Sequence, residues 1–138
     1  MRKRTLAREC ALKILYRMEM AHETSQESMG SFWVSDDNKQ LEEELRDFAS
    51  GLVEGVESHR DDIDVSIAKY ADNWQLDRMA VIDRNILRLG SFELKHRQDI
   101  PPKVAINEAV ELAKKYSGQE AGKFVNAILD KVRIEQGR

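Results

Sequence analysis

Val104-Ala105-Ile106-Asn107-Glu108-Ala109-Val110-Glu111-Leu112-Ala113-Lys114-Lys115-Tyr116 is followed, after a short break, by Gly122-Lys123-Phe124-Val125-Asn126-Ala127-Ile128-Leu129-Asp130. Read as helices, the two segments carry apolar stripes. The first is Ala105, Ala109, Leu112, Ala113 and Tyr116; the second is Ala121, Phe124, Val125, Ile128 and Val132. Each stripe also carries an asparagine, Asn107 or Asn126, a residue that helix interiors disfavour. The stripes predict a packed helical bundle. They do not account for the preceding Asp99-Ile100-Pro101-Pro102, or for the basic amphipathic segment that opens the chain.

Working outward, the same period recurs. A first helix is expected from about Thr5 to Ala21, with Ala7, Cys10, Ala11, Ile14, Leu15 and Met18 on its apolar stripe. Beside it run Arg4, Arg8, Leu12 and Tyr16 at i, i+4 spacing. His22 to Asn38 is rich in Ser, Glu, Asp and Gly and reads as a loop, with Phe32-Trp33-Val34 tucked against the core or forming one short turn. Helices are expected over about Lys39–Glu57, Asp61–Ala71 and Asp77–Arg97. The last of these is apolar over a wide arc, as a central helix is. Pro101-Pro102 closes that region. No alternating β-branched run suggests a strand. The reading is all-α: two three-helix bundles packed together in one domain, 1–138. Its halves are about 1–72 and 73–138, with Trp74 buried at their junction.

The composition, 41% hydrophobic and 34% charged over 138 residues, fits one globular domain with a real core. No apolar run approaches the roughly 18–20 residues of a transmembrane helix. Met1-Arg2-Lys3-Arg4 is basic, but an amphipathic segment follows rather than the apolar core of a signal peptide. A single cysteine, Cys10, cannot form an internal disulfide and reads as a small buried hydrophobe. The expected location is cytoplasmic.

Charge is unevenly placed. Residues 1–17 hold six basic side chains against Glu9 alone, a net of +5. Residues 18–64 hold three against fourteen carboxylates, a net of −11, and residues 65–138 are net +3. A basic end can steer phosphate even though the whole chain is −3. Arginine forks grip phosphates, and Tyr16, two turns from Arg8 on the same line, offers a stacking surface for an unpaired base. Single-stranded RNA fits better than duplex, because no polar recognition helix of a helix-turn-helix is evident. Catalysis finds no support. His22, His59 and His96 are scattered and have no partner at metal-ligand spacing, and no phosphate-binding glycine loop is present. Asp61-Asp62-x-Asp64 lacks the rest of a calcium loop and reads as acids at a helix N-terminus. No metal or cofactor is expected.

Three groups of residues carry a family resemblance. The first is Ala7-Arg8-Glu9-Cys10-Ala11 with Leu15-Tyr16. The second is Trp74-Gln75-Leu76-Asp77-Arg78-Met79, Ile82-Asp83-Arg84-Asn85-Ile86-Leu87-Arg88-Leu89 and Glu93-Leu94. The third is the pair of C-terminal segments quoted above. Over nearly its whole length the chain resembles the NusB family of bacterial transcription antitermination factors. The resemblance implies a double three-helix bundle that binds the boxA element of nascent RNA. It also implies a partner, the small-subunit ribosomal protein NusE. The pair would join an antitermination complex on RNA polymerase and support ribosomal RNA transcription. Residue by residue, it implies RNA contacts at Arg4, Arg8, Arg88, Glu120, Lys123 and Phe124, and partner contacts at Tyr16 and Asp83. The chain departs from the family at Thr5 and Leu6, where a denser arginine run is common, and at Asp83, where some relatives have Glu. Two other classes remain open. One is a detached RNA-binding domain related to ribosomal RNA methyltransferases. The other is a homodimeric scaffold that buries its basic helix against the acidic middle of its mate.

Overall fold

In the computed structural model, which describes residues 2–71 and 76–138, every regular element is helical. The helices are α1 (Lys3–Ala21), α2 (Ser25–Val34), α3 (Glu43–Ser58), α4 (Arg60–Tyr70), α5 (Val81–His96), α6 (Pro102–Tyr116) and α7 (Gln119–Glu135). A short 3-10 turn covers Leu76–Arg78. Two compact units form, Met1–Ser58 and His59–Arg138. The two-bundle plan therefore holds, but the division falls between Ser58 and His59 rather than near Asn73. The physical reason is that α4 packs on α5 and α7, so it belongs to the second unit, which has four α-helices among the described residues. Trp74 lies outside the described residues.

The main correction is α2, where a loop was expected. Its start is set by a capping box. The Thr24 hydroxyl accepts from the Glu27 N–H at 3.2 Å, while the Glu27 carboxylate accepts from the Thr24 N–H at 2.8 Å. Its buried positions are Ser25, Ser28, Met29 and Trp33, so half of the inner face is hydroxyl-bearing and shows no hydrophobic period. Acids satisfy those hydroxyls. Ser25 donates to Glu57 at 2.6 Å and Ser28 to Glu23 at 2.7 Å. The second expected helix, about Lys39–Glu57, begins four residues late. Asn38 ties the preceding turn to the Phe32 carbonyl and the Ser35 hydroxyl, and α3 starts only at Glu43.

The expected stripes are otherwise present. Cys10 is buried, and burial raises its thiol pKa, as for an inert core residue. In α5, every residue from Asn85 to Leu94 is buried, and the helix packs on α4, α6 and α7. Gly90 permits the close approach to α7, since a Cβ there would lie 2.5 Å from a Leu129 methyl. Between α6 and α7, Gly118 takes a φ of 106°, a turn that side chains with a Cβ rarely adopt. Asn107, Tyr116 and Asn126, placed on stripes by the sequence, are exposed instead.

Two of the three histidines meet. The His59 and His96 rings stack with centroids 3.8 Å apart, and His96 Nε2 lies 3.3 Å from Asp62 Oδ2. Lys95 reaches Asp62 at 3.2 Å. Burial opposes ionisation of Asp62, but hydrogen bonds from Lys95 and His96 outweigh it and hold the carboxyl below its ordinary pKa. Tyr70 and Lys69 lower Glu135 in the same way. A carboxyl with a lowered folded pKa stabilises the fold above its ordinary value of about 4, and that contribution disappears as pH falls through the folded value. The urea midpoint should therefore fall between pH 5 and pH 3. In Asp62→Asn/Glu135→Gln it should start lower at pH 6 and fall less, as titration with fluorescence or circular dichroism would show.

Candidate nucleic-acid interface

In the first unit, the basic end of α1 lies along α3. The Arg4 guanidinium sits 4.5 Å from the centroid of the Phe48 ring, and that of Arg8 sits 5.3 Å from it. Cation–π contact of this kind orients a guanidinium without neutralising it. Arg4 is exposed, so its charge is available to an anion, whereas Arg8 is only 3% exposed. Lys3 is engaged by Glu42 at 2.8 Å and Glu44 at 3.1 Å. Along the expected Arg4–Arg8–Leu12–Tyr16 line, only the two ends are exposed, with Tyr16 at 39%. At about 1.5 Å of rise per residue, Arg4 and Tyr16 lie roughly 18 Å apart along the helix, too far to serve one phosphate or one base.

In the second unit, Asp83, Glu120 and Phe124 come together. They line a concavity of about 520 Å³ whose wall also includes Arg78, Met79 and Ser117. The first two turns of α7 supply Glu120, Lys123 and Phe124, because the Gly118 turn starts the helix at Gln119. Lys123 pairs loosely with Glu120 at 3.3 Å, both side chains being exposed. Asp83, in the first turn of α5, accepts a 2.6 Å hydrogen bond from the Ser117 hydroxyl. Arg88 is not in this group. It is buried, and its guanidinium forms a fork on Asp64, with bonds of 2.9 and 3.1 Å, and donates to Asn85. Among the described residues, no group of three or more His, Cys, Asp and Glu side chains could hold a metal ion. No helix among them is long and apolar enough to cross a membrane.

Residues 5–133 match the model of the NusB family. The chain belongs to the NusB family. It is 51% identical over 132 residues to the transcription antitermination protein NusB of Myxococcus xanthus, covering 95% of this chain and 94% of that protein. The corresponding Anaeromyxobacter dehalogenans protein is 50% identical over 130 residues, covering 94% of this chain and 89% of that one. Among solved structures, NusB of T. maritima superposes with a TM-score of 0.85 at 33% identity, covering 96% of this chain and 91% of that chain. A chain from the crystal structure of antitermination factors NusB and NusE in complex with double-stranded RNA gives a TM-score of 0.87. Its identity is 31%, and 98% of each chain is covered.

Sequence reasoning missed three members of the sites in this NusB-family chain. Phe48, the platform for both arginines, is hidden in the apolar stripe of α3. Ser117 lies in an interhelical break that reads only as a turn. Asp64 belongs to an acidic run that reads as a helix N-terminus. The available signal was the i, i+4 line of Arg4 and Arg8, which demands a partner surface on a neighbouring helix.

Proposed function

We propose that this chain is a transcription antitermination factor. It binds boxA-type single-stranded RNA together with the ribosomal protein NusE, within an antitermination complex on RNA polymerase that supports ribosomal RNA transcription. The observation that carries the reading is the near full-length relation to an antitermination protein at 51% identity. The exposed Arg4 held over an aromatic ring, and Phe124 on an open concavity beside Lys123, support an RNA-binding role. In this reading Arg4, Lys123 and Phe124 contact RNA, and Glu120 shapes the same rim. Arg8 and Arg88, both buried, position the elements behind. The protein works without cofactor or catalysis, in the cytoplasm, where nascent RNA is met.

The test is a titration of labelled boxA-like RNA, single- and double-stranded, with and without NusE. Arg4→Ala should weaken single-stranded binding and reduce the salt slope by about one contact. An unchanged slope in a folded variant removes Arg4 from the contact set. Preference for the duplex overturns the single-strand reading.

Tyr16 and Asp83 are proposed to meet NusE. An exposed aromatic and a carboxylate are the anchor and charge that interfaces use. Asp83→Lys should weaken the heterodimer about ten-fold or more by reversing a contact charge. Asp83→Asn, which keeps an acceptor for Ser117, should weaken it less. Calorimetric titration of NusE, with circular dichroism to check folding, separates the two, and equal affinities for Asp83→Lys and the unsubstituted chain would exclude Asp83 from the contact.

A further inference from the structure

The two asparagines that stand out in the sequence face one groove. Asn107 of α6 and Asn126 of α7 are both exposed, and both line a depression of about 470 Å³ between these helices. Neither side chain has a hydrogen bond among the described residues. Asparagine competes for the backbone bonds of its own helix, and the two mid-helix carboxamides, on the α6 and α7 walls of one groove, are both open to a ligand. A carboxamide presents a donor and an acceptor side by side. That pair matches the C=O and N–H of an extended peptide main chain.

The surroundings favour an acidic segment. Lys103, exposed on the rim, has no ion-pair partner among the described residues. Arg133 is paired with Asp130 at 2.9 Å, and Arg138 donates to the Leu94 carbonyl at 3.1 Å and to other carbonyls after α5. With these three cations and Asp130, the groove is net +2 in a chain of net −3. Pro102 and Ile106 add apolar lining. Unpaired RNA fits less well. The lining has no aromatic ring on which a base could stack.

We propose that the α6–α7 groove docks an extended, acidic peptide segment of a protein partner. Asn107 and Asn126 hold its main chain, and Lys103 pairs with one of its carboxylates. The groove shares no residue with the concavity beside Phe124, so the proposal stands independently of RNA binding there.

The test uses the full chain labelled with nitrogen-15, titrated with an acetylated octapeptide of alternating Asp and Val. The side-chain amide signals of Asn107 and Asn126, assigned by their loss in the alanine variants, should shift and saturate. Asn107→Ala/Asn126→Ala should weaken binding about five-fold or more, the loss of one or two net hydrogen bonds. Its melting temperature should be unchanged or raised, because Ala is the better helix former. Lys103→Glu, on the exposed rim, should weaken binding to a similar extent and serves if the double variant does not fold. Absence of any shift at millimolar peptide overturns the proposal. An equal response to a Lys–Val octapeptide also does so, because charge would then play no part. A uridine dodecamer that shifts the same two signals overturns it in favour of nucleic acid.

Discussion

Asp64→Ala should lower the stability of the protein by about 2–4 kcal/mol, read as a shift in the urea midpoint at neutral pH. The Arg88 side chain is 5% exposed, and both carboxylate oxygens of Asp64 receive its fork. Removing the carboxylate leaves a guanidinium in a site that cannot hydrate it, and that is the costly half of breaking a buried pair. Asp64 itself is 25% exposed, so water screens part of the interaction and the expected loss lies below the fully buried limit. Arg60, 3.7 Å from the same carboxylate, is a weaker second partner. Removing both charges should cost less than removing one. Asp64→Ala/Arg88→Met is expected to recover part of the loss, because Met fills the buried volume without a charge. Arg88→Met alone decides what Arg88 does. As a positioning residue, folded Arg88→Met keeps the RNA salt slope of the unsubstituted chain. As a phosphate contact, it loses about one unit of that slope.

Where side chains alternate between core and solvent, the helices could be read directly. The stripe Leu41, Leu45, Phe48, Ala49, Leu52, Val53 and Val56 predicts α3, although Leu41 falls before its first residue, and the wide apolar arc of the central helix predicts its packing on several sides. The period failed where polar groups line the inner face. Ser25 and Ser28 are buried because Glu57 and Glu23 reach in to satisfy them, and hydrophobicity carries no trace of that arrangement. The Thr24–Glu27 spacing was the available sign. The site was legible by type and not by placement. A basic helix marks Arg4 and Arg8 as a pair, but their partner Phe48 lies on another helix, and tertiary packing alone buries Arg8 and leaves Arg4 exposed. The stacked His59 and His96 are 37 residues apart in the chain, and only the pairing of α4 with α5 brings them together.

Phe124→Ala should weaken RNA binding by about 1–3 kcal/mol if its ring stacks on a base, roughly 5- to 150-fold in the dissociation constant. The competing role is core packing, since Phe124 falls on the apolar stripe of α7. Burial separates the two roles along this helix. Val125, Ile128, Leu129 and Val132 fill the interior, whereas Phe124 is half-buried and lines the concavity with Ala121 and Met79. Leu129 is fully buried, so Leu129→Ala should cost about 2–5 kcal/mol of stability and leave RNA affinity per folded molecule unchanged. Phe124→Ala should show the reverse: a smaller loss in the urea midpoint and the larger loss in affinity. Phe124→Leu is the sharper probe, because it keeps most of the apolar volume and removes the π face. Affinity lost in Phe124→Leu and retained in Phe124→Tyr would identify stacking as the interaction. Equal affinity for Leu and Tyr, with stability falling in step with side-chain size, would assign the ring to packing and leave Lys123 and Arg4 as the RNA contacts to be weighed.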